Sequence, residues 1–150
     1  MIYKAGEADV HDVASLAVNM WDGQTVDELT ETFSNVVRSD NSAIFILSLD
    51  SNANALHKAV GFAQCGLRFD YVEGTHSSPV GYLEGIYVEK PYRRQGYAKQ
   101  LTEKCEQWAK EKGCREFASD CELDNEISLK FHLNAGFSES NRVICFNKQI

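Results

Sequence analysis

Residues 80–101, VGYLEGIYVEKPYRRQGYAKQL, constrain the chain most tightly, because they join two periodicities through a glycine-containing basic turn. Residues 80–88 alternate as a strand, with Val80, Tyr82, Glu84, Ile86 and Val88 nominally on one face, and Gly85 in the middle predicts a bulge that re-aims a side chain. From Gly96 onward Tyr97, Leu101, Cys105, Trp108 and Ala109 recur at helical spacing until Gly113 stops the run. A strand that turns into a helix aims the helix's free N–H groups and positive dipole end at the turn, which is a place for an anion. Gly96 and Ala98 let a phosphate approach the backbone there, while Arg93 and Arg94 supply charge-assisted donors. The pattern R-x-x-G-x-A is neither a P-loop nor a dinucleotide fingerprint. Taken alone, it reads equally as an anion site or as an arginine-rich cap on an ordinary helix.

The remaining chain repeats the alternation of strand and helix. Residues 1–5 predict a short strand, and Val10, Val13, Ala14, Ala17 and Met20 a helix. Thr25 to Glu28 reads as a capping box opening a second helix through Leu29, Phe33 and Val36. The runs at 43–49 and 59–69, separated by the polar turn DSNANAL, predict a hairpin. Residues 115–120 predict a fifth strand, 125–135 a helix ended by Gly136, and 142–148 a final strand. The expected class is therefore α/β, with helices on both faces of a mixed sheet. At 150 residues without a repeat or linker, one domain over 1–150 is expected.

Composition excludes several classes. The formal net charge of −7 argues against nucleic acid. No stretch of 18 apolar residues or signal-peptide pattern occurs, so a cytoplasmic protein away from the membrane is expected. Five cysteines without a C-x-x-C pair indicate reduced, mostly buried thiols and no metal site. The acids cluster, however, with Glu116, Asp120, Glu122, Asp124 and Glu126 falling in one stretch without Lys or Arg. For Glu122, Asp124 and Glu126 a solvated helix N-terminus is the preferred reading. Glu84 and Asp120 interrupt apolar strands, and are expected to be buried carboxylates that need a partner.

Residues 87–110, YVEKPYRRQGYAKQLTEKCEQWAK, resemble the acetyl-CoA signature of the GNAT acyltransferase superfamily, and NEISLKFHLNAGF (125–137) resembles its second motif. Residues 70–88, 113–120 and 136–144 further resemble bacterial aminoglycoside 6′-N-acetyltransferases, densely over 64–150 and before that only at Trp21. The resemblance implies a GNAT fold whose mostly antiparallel sheet is split at the fourth strand. It also implies a cytoplasmic, homodimeric resistance enzyme, paired through 142–148, that moves an acetyl group from acetyl-CoA to the 6′ amine of an aminoglycoside. Acetyl-CoA would lie along Ile86, Tyr87 and Val88, the loop Arg93, Arg94, Gln95 and Gly96, the first helical residues Tyr97, Ala98 and Lys99, and Asn125.

The carboxylates matching Glu84 and Asp120 contact the drug's ammonium groups in that family, and Trp21 and Tyr71 match aromatic positions of the same pocket. Asn141 stands where relatives can place another acid, with Glu139 two residues earlier, which leaves the preference among aminoglycosides open. A sugar ammonium must lose a proton before it attacks a thioester, so Glu84 is the first candidate base and Asp120 the second. A backbone N–H between Ile86 and Val88 would stabilise the oxyanion. His132 replaces the family's tyrosine general acid, and is either that acid or a helix residue with a satisfied hydrogen bond. Two rivals stay open: a GNAT enzyme acting on a polyamine or peptide amine, and a non-catalytic acetyl-CoA-binding module.

Overall fold

The computed structural model describes residues 1–49 and 58–150, so the expected turn at 50–56 lies outside the described residues. The elements in chain order are β1 (Ile2–Lys4), α1 (Val10–Ala17), α2 (Val26–Arg38), β2 (Ser42–Ser48), β3 (Ala59–Arg68), β4 (Val80–Val88), α3 (Tyr97–Glu111), β5 (Phe117–Ala118) and α4 (Glu126–Asn134). The strands form one sheet in the order β1-β2-β3-β4-β5, antiparallel throughout except for the parallel β4–β5 pair.

Both faces of the sheet are covered, which explains why β2 reads as a continuous apolar run rather than an alternating one. Its Ala43, Phe45 and Leu47 pack with Leu101, Cys105, Trp108 and Ala109 of α3. Its Ile44 and Ile46 pack on the other side with Val13, Ala17, Leu29 and Phe33 of α1 and α2. The capping box forms as predicted: the Thr25 hydroxyl accepts from the Glu28 N–H at 3.2 Å, and the Thr25 N–H donates to the Glu28 carboxylate at 2.8 Å. Cys65, Cys105 and Cys114 are buried, Cys121 and Cys145 exposed, and all five are free thiols.

The predicted bulge is present, and it changes the face assignment. Gln64 pairs with Gly85 and Cys65 with Leu83, which leaves Glu84 as the extra residue of β4. Leu83, Ile86 and Val88 therefore face α3, whereas Tyr87 packs with the α1–α2 side. Ile86 and Val88 do not share a face with Tyr82 and Glu84 as simple alternation requires, because one inserted residue inverts the order beyond it.

β5 pairs with β4 only at Gly81–Phe117 and Tyr82–Ala118, so the two strands part from residue 83 onward. Their contact depends on Gly81, where a Cβ would lie 2.6 Å from both the Ala109 Cβ and the Phe117 ring. Gly81→Val is expected to cost about 1–3 kcal/mol through overpacking, read as a lower midpoint in urea denaturation.

The expected strand at 142–148 is absent. Residues 138–150 form neither helix nor strand, and Val143, Ile144 and Phe146 are exposed. Apolar alternation alone does not make a strand without a backbone partner, and none of the described edges of this chain pairs with it.

Candidate active site

Above the point where β5 leaves β4, four polar side chains converge on the α1–α2 side of the sheet. The bulge aims Glu84 across β3 toward Gly66, whose missing side chain leaves room: a Cβ there would stand 3.7 Å from the Glu84 carboxylate. Arg68, two residues along β3, donates through Nε and Nη2 to that carboxylate at 3.2 and 2.8 Å. Its guanidinium also lies over the Tyr82 ring, 3.8 Å from the centroid. Asp120, just beyond β5, stands close enough to act electrostatically on both Tyr82 and Arg68.

Neither Glu84 nor Asp120 is buried, contrary to expectation. The bulge tips Glu84 out of the ladder, and β5 has already ended before Asp120. Glu84 instead lines an open cleft of about 220 Å³ with Trp21, Gln24, Phe33 and Gln64. Trp21 is fixed there by Phe33 and Phe62, at centroid distances of 6.1 and 6.4 Å. It also lies against Gly85, where a Cβ would come within 3.0 Å of the indole.

Burial is the main cause, and the Asp120 charge the second, of a Tyr82 hydroxyl pKa pushed up to about 12. The unfolded chain therefore loses the Tyr82 proton near the ordinary value of ~10 while the folded chain still holds it. Stability from this group is complete below pH ~10 and lost as pH rises toward 12. Tyr82→Phe is expected to flatten the fall in melting temperature over that window.

The basic loop after β4 is open. Arg94 and Gly96 adopt left-handed φ values of 62° and 82°, which turn the chain sharply before α3. Residues 93–96 are exposed and Gly96 caps α3 without a side-chain bond, leaving the first N–H groups of a 15-residue helix uncapped by a side chain. Gln95 and Lys99 are exposed beside them, while Tyr97 and Ala98 pack inward. Arg93 is partly committed, since its Nε donates to the Val88 carbonyl at 2.6 Å and it stacks 5.5 Å from the Tyr87 centroid. The Glu89 N–H donates to Val60 of β3. Because N–H groups alternate along a strand, those of Ile86 and Val88 point to the opposite side, where β5 has ended.

His132 stands on the β5 side of the split. Its Nδ1 lies 2.7 Å from the Ser128 carbonyl, and its Nε2 lies 2.8 Å from the Ser119 hydroxyl, which itself lies 3.2 Å from the Leu83 carbonyl. Both ring nitrogens have partners in the chain, so the helix-residue reading has a full set of hydrogen bonds. Asn125 accepts from the Ser128 N–H at 3.0 Å and caps α4.

Other predicted residues are not gathered into the cluster. Tyr71 is exposed on the β3–β4 connection, Glu139 pairs with Arg142, and the Asn141 amide donates to Glu73 at 3.4 Å. Arg68 and Gln64 join the site without having been anticipated. An arginine at the end of a strand carries no sequence signal of its own, and its partner became evident only through the register of β3 and β4. Among the described residues no grouping of His, Cys, Asp and Glu is suited to a metal ion, and no helix is long and apolar enough to cross a membrane.

A mixed sheet opened at its fourth strand, followed by a helix N-terminus without a side-chain cap, matches the fold that the resemblance to acyltransferases implied. The chain belongs to the acetyltransferase (GNAT) family, whose model matches residues 10–137. It is 38% identical over 149 residues to aminoglycoside N(6′)-acetyltransferase type 1 of Acinetobacter haemolyticus, covering 99% of this chain and 98% of the relative. Against the protein of the same name from Salmonella typhimurium it is 40% identical over 134 residues, 89% of this chain and 88% of that one. The fold matches AAC(6′)-Iy in complex with the bisubstrate analog CoA-S-monomethyl-acetylneamine, with a TM-score of 0.89 and 37% identity. That match covers 100% of this chain and 98% of AAC(6′)-Iy. AAC(6′)-Ih from Acinetobacter baumannii matches with a TM-score of 0.89 and 35% identity, over 100% of this chain and 98% of that one.

Proposed function

We propose that the protein acetylates the 6′ amine of aminoglycoside antibiotics with acetyl-CoA as donor, and so confers resistance. The observation that carries this reading is the placement of Glu84 and Asp120 around Tyr82 at the mouth of the β4–β5 split. An acidic, aromatic-lined cleft suits a polycationic sugar, and the exposed basic loop on the far side of β4 suits a polyanion. The 38% identity to an N(6′)-acetyltransferase over nearly the whole chain supports the same substrate class.

Acetyl-CoA supplies the acetyl group as a thioester. The N–H groups of α3 and the Arg94 guanidinium are the donors for its phosphates, and the uncapped helix end is the feature of this chain that fits them. Glu84, aided by Asp120, binds the substrate ammonium and takes its proton, leaving a neutral amine to attack the acetyl carbon. The N–H groups of Ile86 and Val88 on the open side of β4 are the donors for the carbonyl oxygen as negative charge develops on it. A new C–N bond forms, the nitrogen gives its second proton to solvent, the C–S bond breaks, and a thiolate leaves. With an ordinary thiol pKa of ~8.5, that thiolate departs without help from His132.

The exposed Val143, Ile144 and Phe146 support a homodimer in which 142–148 of one copy pairs with the other, checked by sedimentation. The use of acetyl-CoA, an intracellular metabolite, supports a cytoplasmic location. The test of the activity is thiol release with acetyl-CoA against aminoglycosides that carry or lack a 6′ amine. Release confined to the former supports the reading; release with spermidine or peptides alone replaces it.

A further inference from the structure

The Arg68–Glu84 pair is the feature that the reaction outlined above leaves without a role. Arg68 engages both oxygens of the carboxylate expected to receive the substrate's ammonium. It is held there by the Tyr82 ring beneath it and by the nearby Asp120 charge, yet it remains substantially exposed, at 45% of its side-chain surface. A cation stacked on an aromatic ring and bonded to one carboxylate, with a second carboxylate nearby, has the chemistry of a bound aminosugar. An ion pair of this kind, with both side chains partly open to solvent, is worth on the order of 1 kcal/mol, so a competing cation can open it.

We propose that Arg68 is a built-in surrogate for the substrate ammonium: it occupies Glu84 until a cationic amine replaces it, and thereby sets the KM for the amine. This rests on the aminoglycoside reading, since it takes Glu84 as the ammonium's partner. With Arg68 in place the three groups Glu84, Asp120 and Arg68 sum to a charge of −1, and without it to −2.

Two consequences separate this role from a merely structural one. Replacing Arg68 by an uncharged side chain of similar length removes the competitor. Arg68→Met is therefore expected to lower the tobramycin KM about three- to tenfold while kcat changes by less than about twofold. The doubled site charge also steepens the rise of KM between about 0.05 and 0.3 M KCl. A bracing role predicts the opposite sign, with Glu84 wandering, KM rising and kcat falling. Arg68→Lys, which restores a cation, is expected to move KM back toward the wild-type value.

The experiment is a steady-state thiol-release assay with tobramycin at both salt concentrations on the wild type and the two variants, with melting temperatures as the check on folding. A lower KM and a steeper salt dependence in Arg68→Met, reversed by lysine, support the proposal. An unchanged or higher KM in a folded variant overturns it and leaves the aminoglycoside reading intact. No thiol release from the wild type with tobramycin overturns the reading and takes this inference with it.

Discussion

Glu84→Gln is expected to reduce kcat for a 6′-aminoglycoside at pH 7 by on the order of 10²-fold or more, the usual scale for losing a positioned general base. The substitution keeps the shape of the side chain and one acceptor for Arg68, so folding is little affected. What it removes is the lone pair that takes the ammonium proton. The deficit should shrink at alkaline pH, where the amine loses its proton to water and no longer needs the carboxylate. Stopped-flow thiol release across a pH series distinguishes this from lost binding, which would raise KM at every pH. Equal turnover of variant and wild type would shift the role to Asp120, to be tested by Asp120→Asn.

Gly96→Val should weaken acetyl-CoA binding about 10–100-fold, since a β-branched residue at a φ of +82° is strained and the loop must relax away from its present turn. Space is not the obstacle, as the nearest atom to a Cβ at Gly96 is 3.9 Å away on the Gln100 amide. Conformation is. Relaxation of this turn misdirects the N–H groups of Tyr97 and its neighbours, the donors on which a phosphate would depend. Arg94→Glu, which reverses one charge on the same exposed loop, should weaken binding to a similar degree and with a strong salt dependence. Calorimetric titration with CoA reads both, and a thermal melt near the wild-type value confirms that the fold survives. Undiminished affinity in both variants would remove the loop from the cofactor site.

Much of the fold was legible because its signals are local. Thr25 and Glu28 cap α2 through atoms three residues apart, and Gly96 and Gly136 stand where positive φ ends or begins a helix. The bulge at Gly85 was equally local in origin. Its consequence was not, because the inversion of faces beyond it depends on how β3 continues past the inserted residue. The segment 142–148 misled for a related reason. Its side chains alternate as in a strand, but a strand is a relation between two backbones, and no described part of this chain supplies the second.

The site divides along the same line. Sequence alone marked the loop from Arg93 to Lys99 as a candidate anion site and Glu84 and Asp120 as carboxylates of consequence, since a helix terminus beside arginines signals the first and misplaced charge the second. Only the tertiary structure decided that both carboxylates are open to solvent, that His132 is bound through both nitrogens to Ser119 and Ser128, and that Glu84 is held by Arg68. These facts depend on pairing across strands and on contacts between elements far apart in the chain. Periodicity within one element reports which face a residue takes, and carries no information about the neighbour it meets there.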